Sequence, residues 1–291
     1  MTARSTILRL GKCTVCVSSA DEDLLFSLEK LFVPGGGAAE TSMRQSVAAL
    51  DLDNPQIAFA ACPGAAPHEP VGLDKLTAPV QMDLPLAVLL VTELAFRHHG
   101  DCLWIDAAVL VSPTKSSVLL AGASMSGKTT LSTALVALRN WKIVSEDISF
   151  LDLSTGEVVS FICPLSLRQG TKERLMKVGV RGGLDIPLLS DEWLFNREMF
   201  YGAALKLPIT YSLLLRQVDP ESPGPVSLRE LMASQMLQSL LPISNAVRLP
   251  QSMPALSGVL SASSNYLLEG GNIADRVQAV ESLAGTGCDV S

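Results

Sequence analysis

Residues 122–129 read Gly122-Ala-Ser-Met-Ser-Gly127-Lys128-Thr129, the spacing G-x-x-x-x-G-K-T. The chemistry of that spacing is the holding of phosphate groups. Two glycines let the backbone wrap closely, so that its N–H groups and a helix N-terminus face the negative charge. Lys128 then reaches the terminal phosphates, and the Thr129 hydroxyl ligates the magnesium ion that bridges them. The candidate nucleotide-binding residues are therefore Gly122, Ala123, Ser124, Met125, Ser126, Gly127, Lys128, Thr129 and Thr130, with Mg2+ as the accompanying ion.

Such a loop works only if a strand delivers it and a helix follows it. Both patterns are present. From Trp104, "WIDAAVLVS" is a buried-strand pattern, "PTKS" at 113–116 is a turn, and "SVLLA" is a second strand running into Gly122. After the loop, Leu131, Leu135 and Leu138 recur at helical spacing. One short helix later, "WKIVSED" predicts a strand that ends in Glu146-Asp147, and a hairpin turning at Ser154-Thr-Gly156 leads on to Pro164 and Arg168.

This order resembles the HPr kinase/phosphorylase family and the HPr-kinase-related peptide kinases. Three features carry the resemblance: the hairpin into "GASMSGKTTL", the acidic "VSED" soon afterwards, and the hairpin leading to "PLSLRQG". A weaker fourth is "VSLRELMASQMLQSLL" followed by "NYLLEGGNIADRVQAVESL", with Ser227 and Glu230 expected to form a capping box and Asn272 to cap the last helix. The resemblance covers roughly residues 84–283. It implies an α/β fold with a P-loop kinase core of the HPr kinase and phosphoenolpyruvate carboxykinase type. It also implies transfer of a phosphoryl group from ATP to a hydroxyl, serine above all, of a peptide or protein; in related kinases the acceptor can be a ribosomally made precursor peptide.

The departures from the family pattern are specific. Met125 stands where family loops usually have glycine, and Asp106 occupies the strand in which HPr kinases carry a histidine that helps activate the acceptor. His98 and His99 lie a few residues earlier, and a solvated helix end accounts for them. "VRGG" at 180–183 resembles the family's signature segment, with Gly179 in place of its acidic residue.

Phosphoryl transfer needs a nucleophile relieved of its proton and cations on the phosphate oxygens. Glu146 or Asp147 would deprotonate the acceptor or hold magnesium, Asp106 would assist, and Lys128 would bear on the phosphates. Thr129 and Glu146 are the expected magnesium ligands. Arg168, Lys172 and Arg181 are the candidate substrate-binding cations, with Arg174 and Arg197 as further ones. Two other functions remain open at this level: a regulatory nucleotide-binding module with little or no kinase activity, and a small-molecule kinase.

The whole chain, 291 residues with 48% hydrophobic content, can bury one large core or two smaller ones. Its net charge of -7 argues against nucleic acid or an anionic membrane as partner, because either wants a basic face. The apolar run from Leu84 is short and interrupted by Glu93, so no membrane span is expected, and neither is a signal peptide. A cytoplasmic protein acting on a peptide or protein is the expectation, and a homo-oligomer is compatible with the sequence.

Two domains are expected, a small N-terminal α+β domain over 1–82 and the catalytic domain over 83–291. In the first, two strands flank Gly11, and Ser19 with Glu22 suggests a capping box for a helix bearing Leu24, Leu25, Leu28 and Leu31. Residues 38–82 read as loops with one strand at 57–61, and Asp83 as the cap of the next helix. The six cysteines are scattered, and the alternation of "KCTVCVS" sends Cys13 and Cys16 to opposite faces. Ordinary buried or half-buried thiols follow rather than a zinc site.

Overall fold

The structure is a computed structural model and describes residues 4–10, 13–32, 46–51, 84–97, 99, 102–161, 163–167, 169–180, 193–194, 206–217, 219 and 223–285. The chain divides into two compact units, Met1–Asp101 with Ile162–Pro164, and Cys102–Phe161 with Leu165–Ser291.

Period-two alternation in the first unit produces β1 (Arg4–Leu10) and β2 (Cys13–Ser19), an antiparallel pair; β3 (Ser46–Asp51) adds to β2 in parallel. Leu8, Leu10, Cys13, Val15 and Val17 are buried, whereas Cys16 is half-buried, so the two cysteines do face opposite ways. Helix α1 (Glu22–Leu31) buries Leu24, Leu25, Leu28 and Leu31 against this sheet. Its cap is Asp21 rather than Ser19. The Asp21 carboxylate accepts from Leu24 N at 2.9 Å, and Ser19 Oγ accepts from Asp21 N at 3.0 Å, steadying the cap one step upstream.

Strand β3 lies where loops were expected, because small apolar residues pair well beside β2 and the sequence carries no long apolar run to announce them. Helix α2 (Leu84–Arg97) packs on α1, β2 and β3. It therefore belongs to the first unit, and the division falls after Asp101 rather than after residue 82. An apolar helix of this kind attaches to whichever uncovered sheet face it meets, a choice that sequence order does not encode. His99 closes this helix in a buried position, its Nδ1 2.7 Å from the Ala95 carbonyl oxygen, so it is not the solvated residue expected. The strand at 57–61, the Asp83 cap and His98 lie outside the described residues.

The second unit is a mixed sheet with helices. Among the described residues it has nine strands in the order β11-β8-β7-β4-β5-β12-β14-β13, with β6 also paired to β4. The elements are β4 (Leu103–Val111), β5 (Ser117–Ala121), α3 (Lys128–Arg139), β6 (Lys142–Ser145), β7 (Ile148–Leu151), β8 (Val158–Val159), β9 (Leu165–Ser166) and α4 (Gln169–Lys177). They continue with β10 (Trp193–Leu194), β11 (Lys206–Leu207), β12 (Tyr211–Leu215), β13 (Ser227–Glu230), α5 (Ala233–Leu240), α6 (Ser252–Ala262), β14 (Ser264–Glu269) and α7 (Ile273–Gly285). Strands β9 and β10 form a separate small pair.

Strand β5 is buried at all five positions, as expected of a strand covered on both faces. It runs antiparallel to β4 and parallel to β12, which is itself parallel to β14. On one face, Leu103, Ile105, Ala107, Val109 and Val111 of β4 join Leu119 and Ala121 of β5 against Met236, Leu240, Leu256 and Leu260 of α5 and α6. Helix α3 contacts β4, β5 and β6 without entering that cluster, and it packs on α7, so it covers the other face.

Residues 227–230 form a strand antiparallel to β14, not the first turn of a helix. The pairing satisfies backbone groups that a capping box at Ser227 would have left to side chains. Helix α5 begins after Met232, whose N–H donates to Gln235 Oε1 at 3.0 Å. Asn272 caps α7 as expected: its Oδ1 accepts from Ala274 N at 2.9 Å and from Asp275 N at 3.1 Å, while Asp275 Oδ2 accepts from Asn272 N at 3.2 Å.

Candidate functional site

Strand β5 ends at Ala121 and α3 starts at Lys128, so residues 122–127 are the connection between a central strand and a helix N-terminus. That is the arrangement the glycine spacing requires. At Gly122 the requirement is space. A Cβ there would lie 2.7 Å from the Leu215 carbonyl oxygen at the end of β12 and 2.7 Å from Ser126 Oγ. At Gly127 it is conformation, because φ is +95° while the nearest atom to an added Cβ is 3.8 Å away. Met125 also takes a left-handed conformation (φ 67°) and is exposed. The loop shape is thus kept at a backbone cost of about 1–2 kcal/mol.

Strand β4 sets the acidic residues beside the loop. Its Ala107 pairs with Ala121 of β5, which places Asp106 next to the first residue of the loop. The same strand pairs with β6 at Val109–Ser145 and with β7 at Asp106–Ile148. Glu146 and Asp147 form the corner between β6 and β7; Asp147 has φ 66° and its carbonyl accepts from Ala107 N at 3.1 Å. The expected strand ends at Ser145, two residues short of Asp147, because this corner turns the chain.

Lys128 is buried, and its Nζ lies 2.9 Å from Asp106 Oδ1 while donating to the Gly122 carbonyl at 2.6 Å. Glu146 is buried as well. Its carboxyl is pushed up to about 7, first by loss of solvent, with the Asp147 and Asp106 charges adding; a hydrogen bond from Thr129 and the Lys128 charge oppose the rise. Oε1 of Glu146 and Oγ of Ser126 are buried without a hydrogen-bond partner. Asp147 is exposed. Asp106, Lys128, Thr129, Glu146 and Asp147 are therefore neighbours.

Of the expected substrate-binding cations, Lys172 sits half-buried on α4, a helix that packs on α3; the neighbouring Thr171 hydroxyl is 3.5 Å from that of Thr130. Arg168 and Arg181, and likewise Arg197, lie outside the described residues. Arg174 is exposed on α4.

The residues fit a magnesium nucleotide. A buried carboxylate oxygen with no partner and an adjacent hydroxyl are hard oxygen donors of the kind Mg2+ takes, one or two from protein and the rest from phosphate and water. Among the described residues no group of three His, Cys, Asp or Glu side chains could hold a metal by itself.

Arg276 was not singled out from the sequence. It lies on α7 in the same stripe as the buried Val277, Val280 and Ala284, and is itself buried. Its Nη1 donates to the Ser126 carbonyl of the loop at 3.3 Å, Nη2 to the Arg216 carbonyl at 2.8 Å, and Nε to the Gly270 carbonyl at 2.8 Å. An arginine in the apolar stripe of an amphipathic helix was the available signal.

No protein-family model matches the chain, and no curated protein matches it. Among solved structures, the HPr(Ser) kinase/phosphatase from Coxiella burnetii is similar at 17% identity with a TM-score of 0.30, over 63% of this chain and 99% of that one. A likeness of that size carries no argument about this chain, and phosphate binding is argued from the loop and its neighbours alone. No described helix is long and apolar enough to cross a membrane.

Proposed function

We propose that the protein is an ATP-dependent phosphotransferase that phosphorylates a hydroxyl, serine above all, of a peptide or protein. One observation carries this reading: a buried, partnerless carboxylate oxygen on Glu146 stands beside Thr129, at the head of a glycine loop whose lysine is held by Asp106. Buried polar atoms are almost always paired, so an orphan of this kind marks a place made for a ligand.

Bound ATP and Mg2+ would supply the transferable phosphoryl group and a divalent charge against its oxygens. The chain's own residues do the rest. Loop N–H groups and the α3 N-terminus hold the phosphate tail, and Lys128 exchanges Asp106 and the Gly122 carbonyl for phosphate oxygens. Thr129 would ligate the metal, and Glu146 would join it there if Asp106 rather than Glu146 takes the acceptor's proton. The acceptor hydroxyl would pass its proton to the Glu146 carboxylate as its oxygen joins the γ-phosphorus and the bond to the leaving oxygen breaks. Lys172, with Arg168 and Arg181, is assigned to the acceptor.

Incubation with Mg-ATP and matched peptides, serine-containing and serine-to-alanine, followed by mass spectrometry tests the assignment. A gain of one phosphate only on the serine peptides is the expected result. Equal labelling of both sets removes serine. Release of ADP that no acceptor accelerates would instead favour the regulatory module.

A further inference from the structure

We propose that Arg276 is a positioning residue of the phosphate site, which fixes the orientation of the loop amides and lends the loop an uncompensated positive charge. The proposal rests on the nucleotide-binding reading above.

The three donors of its guanidinium end on three separate pieces of backbone: the loop at Ser126, the chain just beyond β12 at Arg216, and the chain just beyond β14 at Gly270. Strand β12 is the parallel neighbour of β5, and β14 of β12, so the C-terminal ends of all three lie at the same end of the sheet as the loop. Arg276 thereby ties the loop to the two adjacent strand ends. A rigid planar fork can serve three directions at once, which a flexible ammonium cannot do equally well.

The contact with Ser126 has a direct geometric consequence. In a planar trans peptide the C=O and the following N–H point opposite ways. With the Ser126 carbonyl turned to Arg276, the Gly127 N–H is held turned away from the guanidinium. That N–H stands at the N-cap of α3, where an anion is favoured by the helix dipole as well.

Charge gives a second, independent reason. Among the described residues no carboxylate pairs with Arg276; its three partners are neutral carbonyls, and burial alone shifts its affinity for protons downward. A cation buried without a counter-charge is unfavourable. The Nη1 atom is 3.8 Å from the place a Cβ on Gly127 would occupy, so a phosphate in the loop lies within its field. Bound phosphate supplies the charge that the protein omits.

Calorimetric titration of full-length protein with Mg-ATP, and separately with inorganic tripolyphosphate, tests this at a temperature where circular dichroism shows each variant folded. Arg276→Gln is expected to weaken both ligands by the same factor, on the order of 10- to 100-fold, as for loss of charge-assisted bonds. Arg276→Lys keeps the charge and loses the fork, and is expected to recover part of that loss and to stay about fivefold weaker than wild type. A residue that was merely structural would lower the melting temperature and leave the Kd of the folded protein unchanged. Affinity within twofold of wild type in folded Arg276→Gln therefore overturns the proposal. Should that variant not fold, wild-type affinity in Arg276→Lys overturns it instead. If wild-type protein itself binds neither ligand, the nucleotide-binding reading fails, a result distinct from either.

Discussion

Lys128 and Asp106 face each other across the head of the loop at 2.9 Å, so the cation meant for phosphate is already neutralised by a carboxylate of the neighbouring strand. Incoming phosphate must compete with Asp106 for it.

Lys128→Ala should leave the fold intact, since Asp106 is a third exposed and can hydrate. It should weaken Mg-ATP binding by about 2 kcal/mol or more, the loss of a charge-assisted contact. Equal affinity in calorimetry would remove the phosphate-binding role of the loop.

Asp106→Asn is expected to act in the opposite direction on binding. It frees Lys128 and removes one negative charge beside the phosphates, so Mg-ATP should bind several-fold more tightly by the ordinary size of one charge interaction near a surface. Weaker binding would show that Asp106 supports the nucleotide directly.

Glu146→Gln should lower turnover by about a hundredfold or more with ATP binding largely retained, the range for loss of a general base. Asp106→Asn should cost less. Single-turnover rates at saturating ATP decide between them; a larger loss in Asp106→Asn would make Asp106 the base and leave Glu146 as the metal ligand.

The ligand-free protein should lose stability as pH rises from about 4.5 to about 7, the span between the ordinary and the raised pKa of Glu146. In that window the folded state holds a proton that the unfolded state has released, so the full stabilisation is present below pH 4.5 and gone above 7. The shift corresponds to on the order of 3 kcal/mol. Denaturant titrations across pH should show the slope, and Glu146→Gln should flatten it and be the more stable protein at pH 8. A variant that keeps the slope would assign it to another group.

Gly122→Ala should destabilise the protein by about 1–3 kcal/mol, the usual cost of overpacking, because its Cβ would press on the Leu215 carbonyl oxygen. Thermal melts will register this. A neutral result would mean that the end of β12 can retreat from the loop.

The sequence by itself determined the local pieces of the site. Glycine spacing, a buried strand before it and leucines at helical intervals after it are all short-range signals, and they marked β5, the loop and α3 close to where they lie. The hairpin of β4 with β5 and the Asn272 cap were legible for the same reason, since a turn or a cap is decided by residues a few positions apart. Glu146 was legible as an acid soon after the loop. Its burial, its orphaned oxygen and its raised pKa were not, because desolvation is a property of what surrounds a group and those surroundings come from β4, β5 and α3 together. The same physics explains the errors. Ser227–Glu230 had a helix-capping pattern but found a strand partner in β14, and α2 joined the sheet of the first unit, whereas the choice of Asp21 over Ser19 as cap is local, its carboxylate accepting from Leu24 N three residues on. Arg276 was hidden altogether: its three acceptors, at positions 126, 216 and 270, share no sequence neighbourhood with one another. Only the parallel alignment of β5, β12 and β14 brings those carbonyls to one edge of the sheet, where a single guanidinium can satisfy them.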